Sequence, residues 1–482
     1  MSTRQTFQIT LDESRTFARL SGDWNPLHVD PVAARRLMFG STVVHGVDVL
    51  LRTIEEAFRH RAGSMLVALN VTFEAPLRTG EPATIEPVEG HCDPDNDAYK
   101  VVSWSRLVQR VLLTVRAAEA SSPSLATTAL GAPDSPQVHD FKALTGASGS
   151  VPLRLDADAA RKLYPDLCRT LPPIQLAVLL ATSRIVGMEC PGLHSVYTEL
   201  KLVFDPVDAG SAQQLNYRVT KADPRFSFLT IAVEGGGSRG KISAVVRSAP
   251  VEQSSFAAVS ARVPAHAFRA QRAIVIGGSR GLGEVTAKIL AAGGADVALT
   301  YAVGADDANR VAEEVRAGGG QCRAFMFDVT APPSQRPAIF PADWLPSDIY
   351  YFASPRIAFR PGAAWDIALF ERYCAFYVTG LARSFSAVDA MFGTSRQPLT
   401  IFYPSSIFVS QPTAGAAEYA AAKAAGEALC RYLGAVRPGL NVKMPRLPRV
   451  LTDQTAGMKA SQTLLPLDVM LEYLVSGATN ER

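Results

Sequence analysis

Residues 272–283 read RAIVIGGSRGLG, and this stretch divides the chain into two kinds of fold. A short apolar run, AIVI, meets a glycine-rich turn, and VTAKILAAGG then has the spacing of a helix. ADVALTY, another helical stretch and CRAFMFDV follow. Strands alternating with helices specify an α/β doubly wound, Rossmann-type sheet. Toward the N-terminus the pattern changes. Met65, Val67, Leu69, Val71 and Phe73 alternate with Ala68, Asn70, Thr72 and Glu74, the period of a half-buried strand. Before it, VVHGVDVLLRTIEEAFRH (Val43–His60) carries one apolar stripe and reads as a long helix. TIEPVEG and VLLTVRAAEA after it read as further antiparallel strands.

That plan recurs. PPIQLAVLLATSRIVG (Pro172–Gly187) is an apolar helix with proline at its start, followed by Val196–Phe204, LNYRVT, FLTIAVEG and GKISAVVRS. A curved sheet wrapped on one helix leaves an edge that a second copy closes. The expected order is a first unit over 1–120, a linker over 121–150, a second unit over 151–250 and the doubly wound domain over 268–482. The linker centres on AEASSPSLATTALGAPDSPQV, rich in Ala, Ser, Thr and Pro without periodicity.

Of the 482 residues 48% are apolar and 19% charged, as in a packed globular chain. A net charge of +3 argues against a nucleic-acid binder, while suiting CoA phosphates or an acidic carrier protein. Six scattered cysteines form no metal or disulfide framework, which points to a reducing, cytoplasmic setting and to no metal site. No run approaches the roughly 18 consecutive apolar residues of a membrane span, so no membrane partner is expected.

SGDWNPLHVD (Ser21–Asp30) gathers Asp23, Asn25, His28 and Asp30 where Pro26 makes continuous helix unfavourable. A carboxylate and an imidazole five residues apart can move one proton at carbon and another at a hydroxyl. On spacing alone, Asp23 and Asn25 serve equally well as helix caps and His28 as a structural histidine. With FGSTVVHG (Phe39–Gly46), the segment resembles MaoC-like (R)-specific enoyl-CoA hydratases and dehydratases over residues 12–75. The resemblance implies that Asp23 and His28 add or remove water across the 2,3 bond of an acyl thioester. It also implies a backbone N–H near Gly46 on the thioester carbonyl, within an α+β double hot-dog. The second unit has no DxNPLH, and the resemblance implies a non-catalytic half that helps shape an acyl tunnel.

In the third block Gly277, Gly281 and Gly283, with Ser279 and Arg280 between them, form a turn that lets backbone N–H groups approach a pyrophosphate. Tyr419 and Lys423 stand four apart in the helical EYAAAKAAGEAL and so face the same way; Ser406 lies 13 residues before Tyr419. A lysine beside a phenol lowers the phenol's pKa. By itself the spacing fits surface packing as well. In this order the residues resemble the short-chain dehydrogenase/reductase family from about Arg272 to Ser476. The family implies hydride transfer from a nicotinamide to a carbonyl, with Tyr419 as acid, Ser406 orienting the substrate, Lys423 on the ribose and Asp328 on the adenine. Thr300-Tyr301 offers no acid for a ribose 2′-hydroxyl and Arg280 can meet a 2′-phosphate, so NADPH is expected. Three positions depart from the family: Tyr351-Phe352-Ala353-Ser354 after the fourth strand, Tyr377 in the central helix, and Pro445-Arg446 after the sixth strand.

The two resemblances together imply a bifunctional 3-oxoacyl-thioester reductase and (R)-3-hydroxyacyl-thioester dehydratase or enoyl hydratase of fatty-acid-like or polyketide-like chain building. Its partner would be an acyl-CoA or acyl carrier protein thioester, with room left for a homodimer. Two alternatives stand beside this: a dehydratase with an inactive reductase-like scaffold, and a non-catalytic acyl- or carrier-protein-binding subunit.

Overall fold

The computed structural model describes residues 4–37, 39–59, 64–89, 95–117, 134–205, 213–332, 344–359, 362, 364–393, 397–411, 413–455 and 464–476. It forms two compact units, Met1–Ala249 and Pro250–Arg482.

The first unit is one antiparallel sheet of ten strands. Its first half holds β1 (Gln5–Gln8), β2 (Ser64–Phe73), β3 (Pro82–Pro87), β4 (Asn96–Ser103) and β5 (Arg106–Ala117). The second holds β6 (Ser148–Pro152), β7 (Ser195–Phe204), β8 (Gln214–Asp223), β9 (Phe228–Gly235) and β10 (Ser238–Val246). The order is β1-β3-β4-β5-β2-β7-β10-β9-β8-β6, so both halves repeat one sequence of strands outward from the centre. They meet where β2 pairs with β7, from Ala68 opposite Val203 to Thr72 opposite Glu199. The helices Gly46–Phe58 and Pro173–Arg184 lie in one continuous core with the inward residues of both halves, including Leu50, Leu51, Leu179 and Leu200. This is the expected double hot-dog.

The first long helix starts three residues later than Val43. Val43 N–H donates to the Leu27 carbonyl (3.1 Å) and Val44 N–H to Leu77 (2.8 Å), which holds this stretch extended until Gly46. The linker expectation also needs correcting at its end. Residues 118–133 lie outside the described part, but Phe141–Leu144 form a 3-10 turn, and Ser148–Pro152 is already an edge strand on β8. A short, polar strand of this kind gives no apolar alternation to read.

The second unit has a six-stranded parallel sheet: β11 (Arg272–Ile276), β12 (Asp296–Tyr301), β13 (Gln321–Met326), β14 (Asp348–Tyr351), β15 (Leu399–Phe402) and β17 (Leu440–Lys443), in the order β13-β12-β11-β14-β15-β17. Between and after these, β16 (Ser405–Ser406) pairs with β18 (Arg446–Leu447). Apolar clusters on both faces, around Val275 and Leu290 and around Ile274 and Ile401, bury the sheet, as a doubly wound fold requires. Among the described residues no helix is long and apolar enough to cross a membrane.

Candidate functional site

The loop bearing Asp23 is set by its neighbours. Thr10 and Glu13 form a reciprocal cap on the helix Leu11–Ser21, and Gly22 ends that helix at φ +75°, a conformation glycine adopts without strain. Asn25 caps the single turn Pro26–Val29 through Leu27 N–H (3.1 Å), and Asp30 caps Pro31–Ala34. Capping and site roles are thus divided: Asn25 and Asp30 hold the backbone, and Asp23 and His28 are left to face each other. Asn25 Nδ2 also donates to the carbonyls of Gly187 (3.0 Å) and Leu193 (3.2 Å), which anchors the loop on the second half.

A carboxylate oxygen of Asp23 and one ring nitrogen of each of His28 and His45 lie within 4.8 Å of one another. Asp23 is 3% exposed. Ser183 Oγ donates to its Oδ2 (2.7 Å) and Asn25 N–H to its Oδ1 (3.2 Å). Burial pushes the Asp23 carboxyl up, against the opposing pull of His28. Burial also pushes His28 down, with Asp23 acting against it. Both groups are therefore driven toward their neutral forms. His28 Nδ1 lies 2.8 Å from the Val43 carbonyl, which fixes the Nδ1–H tautomer and leaves Nε2 as the acceptor. His45, wholly buried, stacks on His28 at 3.9 Å between ring centroids, with Nε2 3.0 Å from the Asp23 carbonyl. Burial holds it well below the usual histidine range. The three residues have the spacing of a metal site, which the sequence did not suggest.

Gly46 opens the buried helix Gly46–Phe58, and among the described residues its N–H meets no acceptor. A Cβ there would fall 2.7 Å from the Phe73 ring, so only glycine fits. Gln109 Nε2 donates to the Gly46 carbonyl (2.6 Å), holding the next peptide in the first turn of this helix.

Sequence reasoning missed His45 and Ser183. His45 stood in the quoted FGSTVVHG and could have been singled out there. Ser183 is 160 residues from Asp23, on the helix of the half without the motif, and nothing local marks it. Gly187, one turn on, has the Asp23 carboxylate where its side chain would be: a Cβ would sit 2.1 Å from Oδ1.

In the second unit the glycine turn is as tight as expected. Gly277 has φ +79° and Gly281 +58°, and a Cβ on Gly283 would lie 2.2 Å from the Gly277 carbonyl. Thr300 receives Gly277 N–H (3.3 Å) and Gly278 N–H (2.9 Å), tying the turn to the end of β12. Ser279 is buried within it, and Gly281, with nothing closer than Thr452 to its Cβ direction, leaves the helix Gly281–Ala292 open at its start. Arg280 Nη1 lies 3.8 Å from Asp453. Asp328 Oδ1 accepts Thr330 N–H (2.8 Å) and Oγ1–H (2.7 Å), a local turn.

Ser406, Tyr419 and Lys423 come together, but the lysine does not act as expected. Ser406 lies beside the Tyr419 hydroxyl and pulls its pKa down against burial. Lys423 Nζ instead donates to the Pro404 carbonyl (2.8 Å) and packs over the rings of Tyr377 (4.1 Å) and Tyr403 (4.8 Å), with the Tyr419 ring centre at 6.0 Å. Burial dominates for both partners. It raises Tyr419 to about 12 rather than lowering it, and takes Lys423 down to about 7. The residues departing from the family account for this enclosure. Tyr377, on a π-helical turn over Ala375–Gly380, bonds Ser354 Oγ (2.7 Å) and supplies one wall. Arg446 grips Glu427 through two bonds of 2.9 Å, while Ser405 Oγ donates to the same carboxylate (2.6 Å), which fixes the β16–β18 pair beside Ser406.

Comparison with known proteins agrees with this division. Residues 1–101 match the family model of the MaoC like domain, and residues 271–444 that of short chain dehydrogenase. A mitochondrial 3-hydroxyacyl-[acyl-carrier-protein] dehydratase of Arabidopsis thaliana is 32% identical over 78 residues, 16% of this chain and 47% of that protein. An (R)-specific enoyl-CoA hydratase of Aeromonas caviae is 33% identical over 78 residues, 15% of this chain and 57% of the relative. The chain thus spans about half the length of these two curated relatives. A short chain dehydrogenase of Burkholderia cenocepacia J2315, solved in complex with NADP, is 26% identical with a TM-score of 0.37, covering 43% of this chain and 91% of that one. The protein thus carries a MaoC-like dehydratase domain over residues 1–101 and a short-chain dehydrogenase domain over residues 271–444.

Proposed function

We propose that the chain is a bifunctional enzyme that reduces a 3-oxoacyl thioester to the 3-hydroxyacyl thioester and removes water from that product to give the 2-enoyl thioester. The observation that carries the reading is the buried meeting of Asp23 with His28 beside an N–H left free at Gly46. In its neutral form the pair offers a carboxyl proton and the Nε2 lone pair at once. Dehydration needs both: a proton leaves carbon 2 to the imidazole while the carbon 3 hydroxyl takes the carboxyl proton and departs as water. Negative charge building on the thioester oxygen is met by the Gly46 N–H at the positive end of its helix. Run backwards, the same steps hydrate an enoyl thioester.

In the second unit the tight glycine turn, the open start of the helix after it and the free direction at Gly281 fit a dinucleotide, and Arg280 favours a 2′-phosphate, hence NADPH. When bound, the nicotinamide supplies the hydride. Ser406 orients the substrate carbonyl, Tyr419 gives its proton to the developing alkoxide, and Lys423 lies beneath the tyrosine, where ribose contact would turn its ammonium from the Pro404 carbonyl. Consecutive steps on one chain raise the local concentration of the shared 3-hydroxyacyl intermediate. The thioester that carries the acyl chain is to CoA or to an acyl carrier protein.

The test separates the sites. With NADPH and a 3-oxoacyl thioester the chain oxidises NADPH and forms enoyl product. Asp23→Asn is expected to stop water addition by about 10³-fold while leaving NADPH oxidation in place. Tyr419→Phe does the reverse. Hydration without any NADPH use would reduce the chain to a dehydratase with a scaffold domain, and inertness toward both would leave an acyl-binding subunit.

A further inference from the structure

Behind the Asp23 loop lies a cation with no counter-charge. Arg247 follows the last strand of the second half and is 7% exposed. Its backbone N–H donates to the His194 carbonyl (2.8 Å) and its Nη2 to the Leu193 carbonyl (2.6 Å), the same oxygen that receives Asn25 Nδ2 (3.2 Å). Nε and Nη1 are shut away from solvent without a hydrogen-bond partner, and Nδ1 of the neighbouring His194 is likewise unmatched. Among the described residues no carboxylate forms an ion pair with the guanidinium. Its field reaches His28, which it helps to keep neutral. Burial takes Arg247 itself down to about 10, a large displacement for a guanidinium. An unpaired buried charge with idle donors on two nitrogens, held by a single backbone carbonyl, is costly to keep in a folded chain unless a ligand supplies the missing charge.

We infer that Arg247 is an anion-binding residue of the hydration site, contributed by the motif-free half, and that the thioester substrate places a phosphate or carboxylate oxygen on its free Nε or Nη1 donor. A charged N–H donor of a guanidinium matches an oxygen of either group. This rests on the proposed hydration at Asp23 and His28, and it adds a second requirement to the substrate: an anionic group within reach of His28 as well as an unsaturated or hydroxylated acyl carbon. The two sources differ in place, since phosphate would belong to the CoA or pantetheine arm and carboxylate to the acyl chain itself.

The experiment compares Arg247→Met with the native full chain. Three enoyl probes are used: crotonyl-CoA, which brings phosphates; crotonyl-N-acetylcysteamine, which brings no charge; and glutaconyl-N-acetylcysteamine, which brings only a carboxylate. The substitution is expected to cut kcat/KM for one charged probe about tenfold more than for the uncharged one, and the probe affected identifies the anion. Equal losses on all three would overturn the assignment. A second measurement does not need turnover. Inorganic phosphate or glutarate should raise the melting temperature of the native first unit but not of the variant, and the variant should melt higher than the native protein in anion-free buffer. A variant that melts lower, with no anion effect on the native chain, makes Arg247 a structural residue and refutes the inference. Failure to hydrate any probe would remove the proposed hydratase, while the melting shifts would still decide Arg247.

Discussion

The two halves of the ten-stranded sheet have the same strand order, yet they handle charge in opposite ways. The first half buries an acid: Asp23, raised by its surroundings and faced by His28. The second buries a base: Arg247, lowered by its surroundings and hydrogen-bonded through its guanidinium to the Leu193 carbonyl. Each is tied to the same short loop, Asp23 as part of it and Arg247 through the Leu193 carbonyl it shares with Asn25. Duplication explains how a fold tolerates both. Once one copy supplies the acid and imidazole, the other is free to lose that motif and to furnish support, Ser183 on the carboxylate and Gly187 behind it. The half without the motif therefore furnishes part of the proposed site.

That comparison can be broken at several points. The largest effect within the second half is expected from Gly187→Ala, whose new Cβ must displace the Asp23 carboxylate. Hydration should fall about 10²-fold, because small misplacements of a reacting group cost that much, while NADPH oxidation in the other unit continues. An unaffected hydration rate would mean that Asp23 does not act from its present position. Ser183→Ala removes one hydrogen bond to the same carboxyl group and should cost about tenfold in kcat with little change in KM, the size of a single hydrogen bond. A change in KM alone would instead place Ser183 against the substrate.

The smallest effect concerns stability. A carboxyl whose folded pKa is raised binds its proton more tightly when folded, so its contribution is favourable in acid and is lost as pH rises from the usual 3.8 toward the folded value. Asp23→Asn should therefore melt above the native first unit at neutral pH, with the gain shrinking to nothing near pH 3.8. A variant that melts lower at pH 7 would show that the carboxylate is welcome where it lies and that the first half carries no electrostatic cost.

Much of this organisation is legible in the chain itself. The alternation over Met65–Phe73, the stripe of Gly46–Phe58 and the RAIVIGGSRGLG turn each announce an element, because apolar spacing and glycine geometry are local properties. β1 and β4 escaped notice, the first for its brevity at a sheet edge and the second for its mixed NDAYKVVS. Within the site, the loop and its helix start are sequence-local and readable. Ser183 and Gly187 matter only through contacts about 160 residues away, and Arg247 through a carbonyl 54 residues away, and no spacing encodes those. Lys423 shows a different limit. Its distance from Tyr419 along a helix is fixed by sequence, but whether the ammonium or the burial prevails depends on Tyr377 and Tyr403, which close over it from other elements.

The pairing of β2 with β7 has one more consequence. Because the halves are sewn together by main-chain hydrogen bonds along two strands, neither can leave without baring a ready edge to the other. Cut anywhere in residues 118–133, the first unit should behave as two complementary fragments that seek each other out. A gene encoding either fragment alone would yield a protein that polymerises or pairs with itself, and in self-pairs of the first fragment Ser183 and Arg247 would both be missing from the proposed site.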